Sequence, residues 1–193
     1  MKPVRTAEDW VTLGLKVLAA RGSGAIRVEP LARALKVTKG SFYWHFEDRR
    51  ALERALVAQW ERLATEQIIA VTEGGGGTAA QRVRLLIELT MTHPSAPSLE
   101  QAMRSWGATD KTVRRVLARV DERRQAYVRG LLVEHGLSPA AAASRARLLY
   151  LALIGEYVWV SHGGAPTSAE AREELLQLLL ASRSRRNQTQ ARA

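Results

Sequence analysis

Val37-Thr38-Lys39-Gly40-Ser41-Phe42-Tyr43-Trp44-His45-Phe46 is the stretch on which the reading of the whole chain turns. With a helix opening at Thr38, Thr38, Phe42 and Phe46 fall at i, i+4 and i+8, so the two phenylalanines share a face that can pack on a domain. The opposite face carries Gly40 and Trp44, flanked by Lys39 and Tyr43 on one side and by Ser41 and His45 on the other. Four hydrogen-bonding side chains and an indole then point outward from a helix too short to be stable alone. Gly40 sits on the outermost line, where a missing side chain lets the backbone approach another surface. The pattern predicts a reading head for the major groove of DNA.

The charge of the chain supports that reading once it is located. Of 193 residues, 29 are Lys or Arg and 19 are Asp or Glu, a formal net charge of +10. Residues 1–50 hold ten basic against five acidic side chains, residues 51–182 hold fifteen against fourteen, and the tail 183–193 holds four arginines with no acid. The excess lies at the two ends, and the N-terminal excess coincides with the candidate reading head, which favours a nucleic-acid partner. The tail is expected to be a disordered basic end. No cysteine is present, which excludes disulfides, thiolate nucleophiles and cysteine–zinc sites. Lys2, Arg5, Glu8 and Asp9 precede any apolar run, and the most apolar run, Leu148 to Gly155, is too short to cross a bilayer. A cytoplasmic protein with no membrane partner is expected.

Helix signals recur along the rest of the chain. Thr6 caps a first helix with acids in its first turn and an apolar stripe of Trp10, Leu13, Val17 and Leu18, ended at Arg21-Gly22-Ser23-Gly24. A second helix over about 28–35 turns Leu31, Ala32 and Leu35 inward, and Lys36-Val37 makes the turn into the reading helix. Asp48 caps a long helix from Arg49 to about Thr72, with Leu52, Leu56, Trp60 and Leu63 at helical spacing. Gly74 to Gly77 reads as a flexible joint. Beyond it, Thr78-x-x-Gln81 and Ser98-x-x-Gln101 read as capping boxes for helices of about 79–92 and 99–108. Asp110 opens a helix to His135 closed by Gly136, Ser138-Pro139 opens one to His162, and Thr167-x-x-Glu170 caps the last, to about Ala181. With no strand and no repeat, the expectation is an all-α fold of about nine helices. It divides into a helix-turn-helix domain over 1–50 and a helical regulatory and dimerisation domain over 51–182.

Segments 140–162 and 168–181 carry more apolar surface than one small core needs. Leu148, Leu151, Ile154, Val158 and Trp159 recur on one side of the first, and Leu175, Leu176, Leu178, Leu179 and Leu180 crowd the second. The alternatives are internal core and a two-fold dimer interface; the second is preferred because it duplicates the reading head.

Taken together, Val28 through Ala32, the stretch Val37 to Phe46, then Arg49 and Leu52 resemble the TetR family of bacterial transcriptional repressors. The resemblance is specific over about residues 7–60 and topological beyond the glycines. Within that later part Arg104-Ser105-Trp106, Asp110 and Val120-Asp121 with Arg123-Arg124 look like one regulatory-domain subgroup. Two positions depart from the pattern: Arg27 stands where a Ser or Thr cap is usual, losing a bond worth on the order of 1 kcal/mol, and Lys36 stands where Gly is usual. The resemblance implies a DNA surface made of Arg27, Thr38, Lys39, Gly40, Ser41, Tyr43, Trp44, His45 and Arg49. Lys39, Ser41 and Tyr43 would meet bases or the adjacent backbone, Trp44 a sugar and thymine methyl, and Tyr43, His45, Arg49 and Arg27 phosphates. Lys39 suits the N7 and O6 acceptors of guanine. The resemblance further implies a homodimer on a palindromic operator, released when a small-molecule effector binds the C-terminal domain, with helix 49–72 as the lever.

Met91, Met103, Trp106, Tyr127, Tyr150 and Trp159 either line that effector's pocket or fill core. Asp121 and Arg124, at i, i+3, are expected to pair. His93, His135 and His162 stand apart from one another, so no metal and no cofactor is expected. No helix carries a Glu-x-x-His pair, and there is no phosphate loop, nucleophile elbow or apolar carboxylate pair, so no enzyme is expected. The competing reading is a DNA-binding or protein-interaction module without an effector.

Overall fold

Side-chain caps start most of the helices where the sequence places them. In the computed structural model, which describes residues 5–93 and 96–181, Thr6 accepts from the Asp9 amide while Asp9 returns a bond to the Thr6 backbone, opening α1 (Ala7–Arg21). After a 3₁₀ turn (Ser23–Ala25), α2 (Val28–Leu35) begins at Arg27, whose side chain makes no capping bond. Lys36 ends α2 in the left-handed region at φ 59° and ψ 40°, the conformation for which glycine is the usual residue. The helix α3 (Lys39–Tyr43) that carries the candidate DNA-facing residues is a single turn and a half.

Asp48 caps α4, which runs from Arg49–Glu61 through a π turn (Arg62–Glu66) into Gln67–Gly74. That turn changes the expected stripe. Leu52, Leu56 and Trp60 are buried, but Leu63 faces out, and Thr65 and Thr72 take the inward positions instead. One extra residue in the turn advances the helix by about 100°, which carries the regular helical spacing off the core.

Gly76 and Gly77, both at positive φ, turn the chain into α5 (Ala79–Met91), opened by the Thr78–Gln81 capping box. The next helix, α6 (Ala96–Thr109), starts earlier than expected, with Pro97 inside its first turn, where its fixed φ suits a helix. Ser98 therefore lies within α6 and does not cap it. Asp110 opens α7 (Lys111–Glu134), and Ser138-Pro139 opens α8 (Pro139–Ser161). The cap of α9 (Ala169–Leu180) is Ser168, not Thr167: the Thr167 amide and hydroxyl both donate to Glu156, at 2.7 Å each. The described residues thus form nine helices and no strand, the all-α fold expected, and no helix among them is long and apolar enough to cross a membrane. The tail 183–193 lies outside the described residues.

Two cores hold these helices. One joins α1, α2, α3 and the first half of α4 to Met103 and Trp106 of α6 and Val113, Leu117 and Val120 of α7. The other joins α5, the far end of α7, α8 and α9. Close approach of α1 to α4 depends on Gly14, where a Cβ would stand 2.6 Å from a methyl of the fully buried Leu56.

Candidate nucleic-acid interface and regulatory cavity

Phe42, fully buried, anchors the short α3. Its ring meets Trp10 edge-on at 5.3 Å and stacks on Phe46 at 5.4 Å, so both phenylalanines face the core as the spacing predicts. Burying two such rings against an indole stabilises by several kcal/mol, of order 2–3 per ring, which a five-residue helix cannot supply by itself. With those rings fixed, the remaining side chains have one direction left. Trp44 is 88% and Tyr43 55% exposed, while Thr38, Lys39, Gly40 and His45 are also exposed and Ser41 is half-buried. No neighbouring atom but Thr38 Oγ1 stands within 4 Å of a Cβ built on Gly40, so its backbone is open to an approaching surface.

The cations at this face are already partly engaged. Lys39 Nζ bonds Glu29 Oε1 at 3.0 Å, and this carboxylate holds the Lys39 ammonium above its ordinary pKa. Arg49 pairs with Glu53 one turn along α4 at 2.8 Å. Arg27 is exposed at the start of α2. Glu29 was not singled out by the sequence, because nothing local marks a residue ten positions before Lys39 as its partner.

A second feature lies in the other half of the molecule. A partly open cavity of about 50 Å³ lies between α4 (Ala64, Thr65, Ile68, Ile69), α5 (Leu86, Ile87, Thr90), α7 (Arg124, Tyr127, Val128) and α8 (Leu149, Tyr150, Leu153, Tyr157). Of the six residues expected at a pocket, Tyr127 and Tyr150 line it. Met103 is instead in the core beneath α3, Trp106 packs in that core and also borders a separate open cleft between α4 and α7, Met91 packs in the second core, and Trp159 is exposed with its indole donating to the Ala165 carbonyl. Large apolar side chains fill the gaps between helices first, and helical spacing alone does not separate a core position from a cavity wall.

Behind the cavity lies a polar network that the sequence did not reveal. Asp121 does not pair with Arg124. It accepts from Arg104 and Tyr150, while Arg124 donates to Glu100 at 3.2 Å, to Thr65 Oγ1 at 3.1 Å and to the Ala64 carbonyl at 3.1 Å. Glu100 is also held by Arg104 at 2.7 Å. Partners from α4 and α6 displace the helix-local pair because burial leaves each ion dependent on several bonds at once. Burial opposes the charge on Arg124, yet Glu100 holds it ionised; burial likewise pushes the Tyr150 and Tyr157 hydroxyls well above the ordinary tyrosine range, so both are neutral. Of the isolated histidines, His135 bonds the Leu180 carbonyl and His162 the Val158 carbonyl, both as helix-end residues.

Comparison with known proteins places this geometry. Residues 12–56 match the family model described as bacterial regulatory proteins, tetR family. No curated protein matches the chain. Among solved structures, a transcriptional regulator from Rhodococcus sp. Rha1 is similar at 16% identity and TM-score 0.72, over 91% of this chain and 94% of that one. A TetR transcriptional regulator from Legionella pneumophila is similar at 15% identity and TM-score 0.72, over 93% and 97%. A protein from Saccharomonospora viridis, solved in complex with choline, is similar at 16% identity and TM-score 0.72, over 90% and 92%. At such identities the likeness is one of fold. Residues 12–56 thus match the tetR family of bacterial regulatory proteins, and about nine-tenths of the chain shares the fold of a solved TetR transcriptional regulator.

Proposed function

We propose that this protein is a dimeric, ligand-responsive repressor that binds a palindromic operator through α3. Residues 1–50 serve as the DNA-binding half and 51–182 as the regulatory and dimerising half, with α4 belonging to both. The observation that carries this reading is the locked α3: two buried phenylalanines fix a helix whose Lys39, Tyr43, Trp44 and His45 all face solvent. Lys39 acts as the base reader, Tyr43, His45, Arg49 and Arg27 as phosphate contacts that set register, and Trp44 as an apolar contact to sugar and thymine methyl.

Dimerisation is supported by the apolar residues left outside both cores. Leu148, Leu151, Val158 and Trp159 on α8 and Leu178 on α9 are exposed. Two copies joined there carry two reading heads, which serve successive major grooves if they stand about 34–36 Å apart.

The cavity between α4, α5, α7 and α8 is the effector's place, and its charge suggests the effector's class. Among the described residues, Arg124 is the one charged side chain in its wall, and Glu100 neutralises it from behind. An anion would gain Arg124 only by taking it from Glu100, and a cation would face the guanidinium directly. A neutral, mainly apolar molecule suits the aliphatic wall. Choline, bound by the Saccharomonospora viridis protein, is a cation and fits this wall poorly. At about 50 Å³ the resting cavity has room for one or two waters, so an occupant must enlarge it by moving side chains such as Ile69 and Leu153.

The test is titration of the purified chain against duplexes selected from a randomised pool and against scrambled duplexes, at several salt concentrations. Specific binding by two chains per duplex supports the reading; equal affinity for both duplex sets, or none at low salt, contradicts it.

A further inference from the structure

One side chain touches both the cavity and the helix that leads to DNA. Arg124 lines the cavity, and its fork grips Thr65 Oγ1 and the Ala64 carbonyl at 3.1 Å each. Both belong to the π turn, in which the Gln67 amide reaches back five residues to the Arg62 carbonyl. The guanidinium also lies 5.3 Å from the ring centroid of Trp60, which is buried in the core that holds Phe42. Glu100, itself 3% exposed, fixes the other edge of the guanidinium from α6.

Isolated π turns are uncommon and recur at functional sites, because the wider backbone ring is poorly bonded and survives where surrounding contacts hold it. Here the holding contacts come from a residue in the cavity wall. Each residue taken up or released in such a turn changes the rotational phase of an α-helix by about 100°. The π turn therefore sets the phase between the cavity end of α4 and the end, Arg49–Glu61, that is packed on the reading head.

We infer that Arg124 is the positioning residue that reports cavity occupancy to the DNA-binding half, by holding the π turn of α4 open through Thr65 and Ala64 and releasing it when an occupant moves the guanidinium. This rests on the reading of the cavity as the effector's place. A ligand acts only through its different affinity for the two states, and here the two states are the gripped and the released turn.

The test uses the full chain and a substitution in place of the unidentified ligand. Leu153→Phe adds bulk to the cavity wall from α8, far along the chain from Arg124 and the π turn. Arg124→Lys keeps a cation facing Glu100 but loses the planar fork that reaches Thr65 and Ala64 together. Affinity for a selected duplex is measured for the wild type, both single variants and the double variant, with amide hydrogen exchange across 62–68.

Leu153→Phe is expected to weaken DNA binding about tenfold and to change exchange across 62–68, whereas in the Arg124→Lys background it adds less than about twofold and leaves exchange there unaltered. A full loss on adding Leu153→Phe to Arg124→Lys overturns the relay while leaving the effector reading intact. No effect of Leu153→Phe in the wild type overturns both the cavity reading and the relay, and a wild type that binds no duplex overturns the DNA reading beneath them. Should Arg124→Lys fail to melt cooperatively, Thr65→Val, which removes one grip at nearly constant volume, takes its place with the same expected outcomes.

Discussion

The Lys39 ammonium stands 3.0 Å from the Glu29 carboxylate, joining the reading helix to the helix before it. Both side chains are well exposed, so the pair adds little to stability; its consequence is for binding. On the proposed reading, Glu29 neutralises Lys39 toward phosphates at large while leaving it able to turn to a guanine edge. Glu29→Gln is therefore expected to tighten binding to scrambled duplexes more than to the selected one, and to steepen the salt dependence by roughly one counterion. Parallel titrations on both duplexes measure this; unchanged scrambled-duplex affinity would count against it.

Leu148 and Leu151 stand outside both cores on α8, 63% and 51% exposed. Placing a charge at Leu148, as Leu148→Glu, should leave the helical content by circular dichroism nearly unchanged while dissociating the dimer in sedimentation velocity and making the melting temperature independent of protein concentration. A charge buried in an apolar interface without a partner costs several kcal/mol, enough to move the association constant by more than a hundredfold.

Among probes of similar shape, toluene should raise the melting temperature saturably, and benzoate and benzylammonium should not, because an anion must compete with Glu100 for Arg124 and a cation must face its guanidinium. Stabilisation by benzylammonium with none from toluene would reverse the assigned ligand class.

Glu73 accepts from the Tyr127 hydroxyl at 2.6 Å and from Arg82 at 2.8 Å, which together hold its carboxyl below the ordinary glutamate range. A depressed folded-state pKa means stability that is fully present above the unfolded value and is lost as pH falls through the folded one. Melting temperature should therefore fall below about pH 5, and Glu73→Gln should flatten part of that fall while lowering stability at neutral pH. An acid limb identical in the two proteins would refute the assignment.

What could be read from the sequence was local. Phe42 and Phe46 share a face by spacing alone, and Thr6, Asp48, Thr78, Asp110 and Ser138 cap helices because an oxygen at that position satisfies orphan amides one turn on. The π turn was invisible: Leu63 follows Leu52, Leu56 and Trp60 at ordinary helical spacing, and no residue type announces an extra step in a helix. The grip of Arg124 on Thr65 and Glu100 spans 59 and 24 residues, and only the packing of α4, α6 and α7 brings them together. Asp121 and Arg124 looked like partners because they are near in sequence, yet each found a better-placed partner on another helix. Cavity walls were only partly legible for the same reason: spacing marks Tyr127, Tyr150, Met103 and Trp106 alike as inward-facing, yet the first two reach this cavity and the others lie in the core.

The most direct measurement compares the wild type with a Lys39→Ala, Tyr43→Ala, Trp44→Ala triple variant on selected and scrambled duplexes at physiological salt. All three side chains are exposed, so the variant should melt as the wild type does. The wild type should prefer the selected duplex by roughly a thousandfold or more, and the variant should lose most of that preference. A folded variant that still discriminates as well as the wild type would show that α3 does not read DNA.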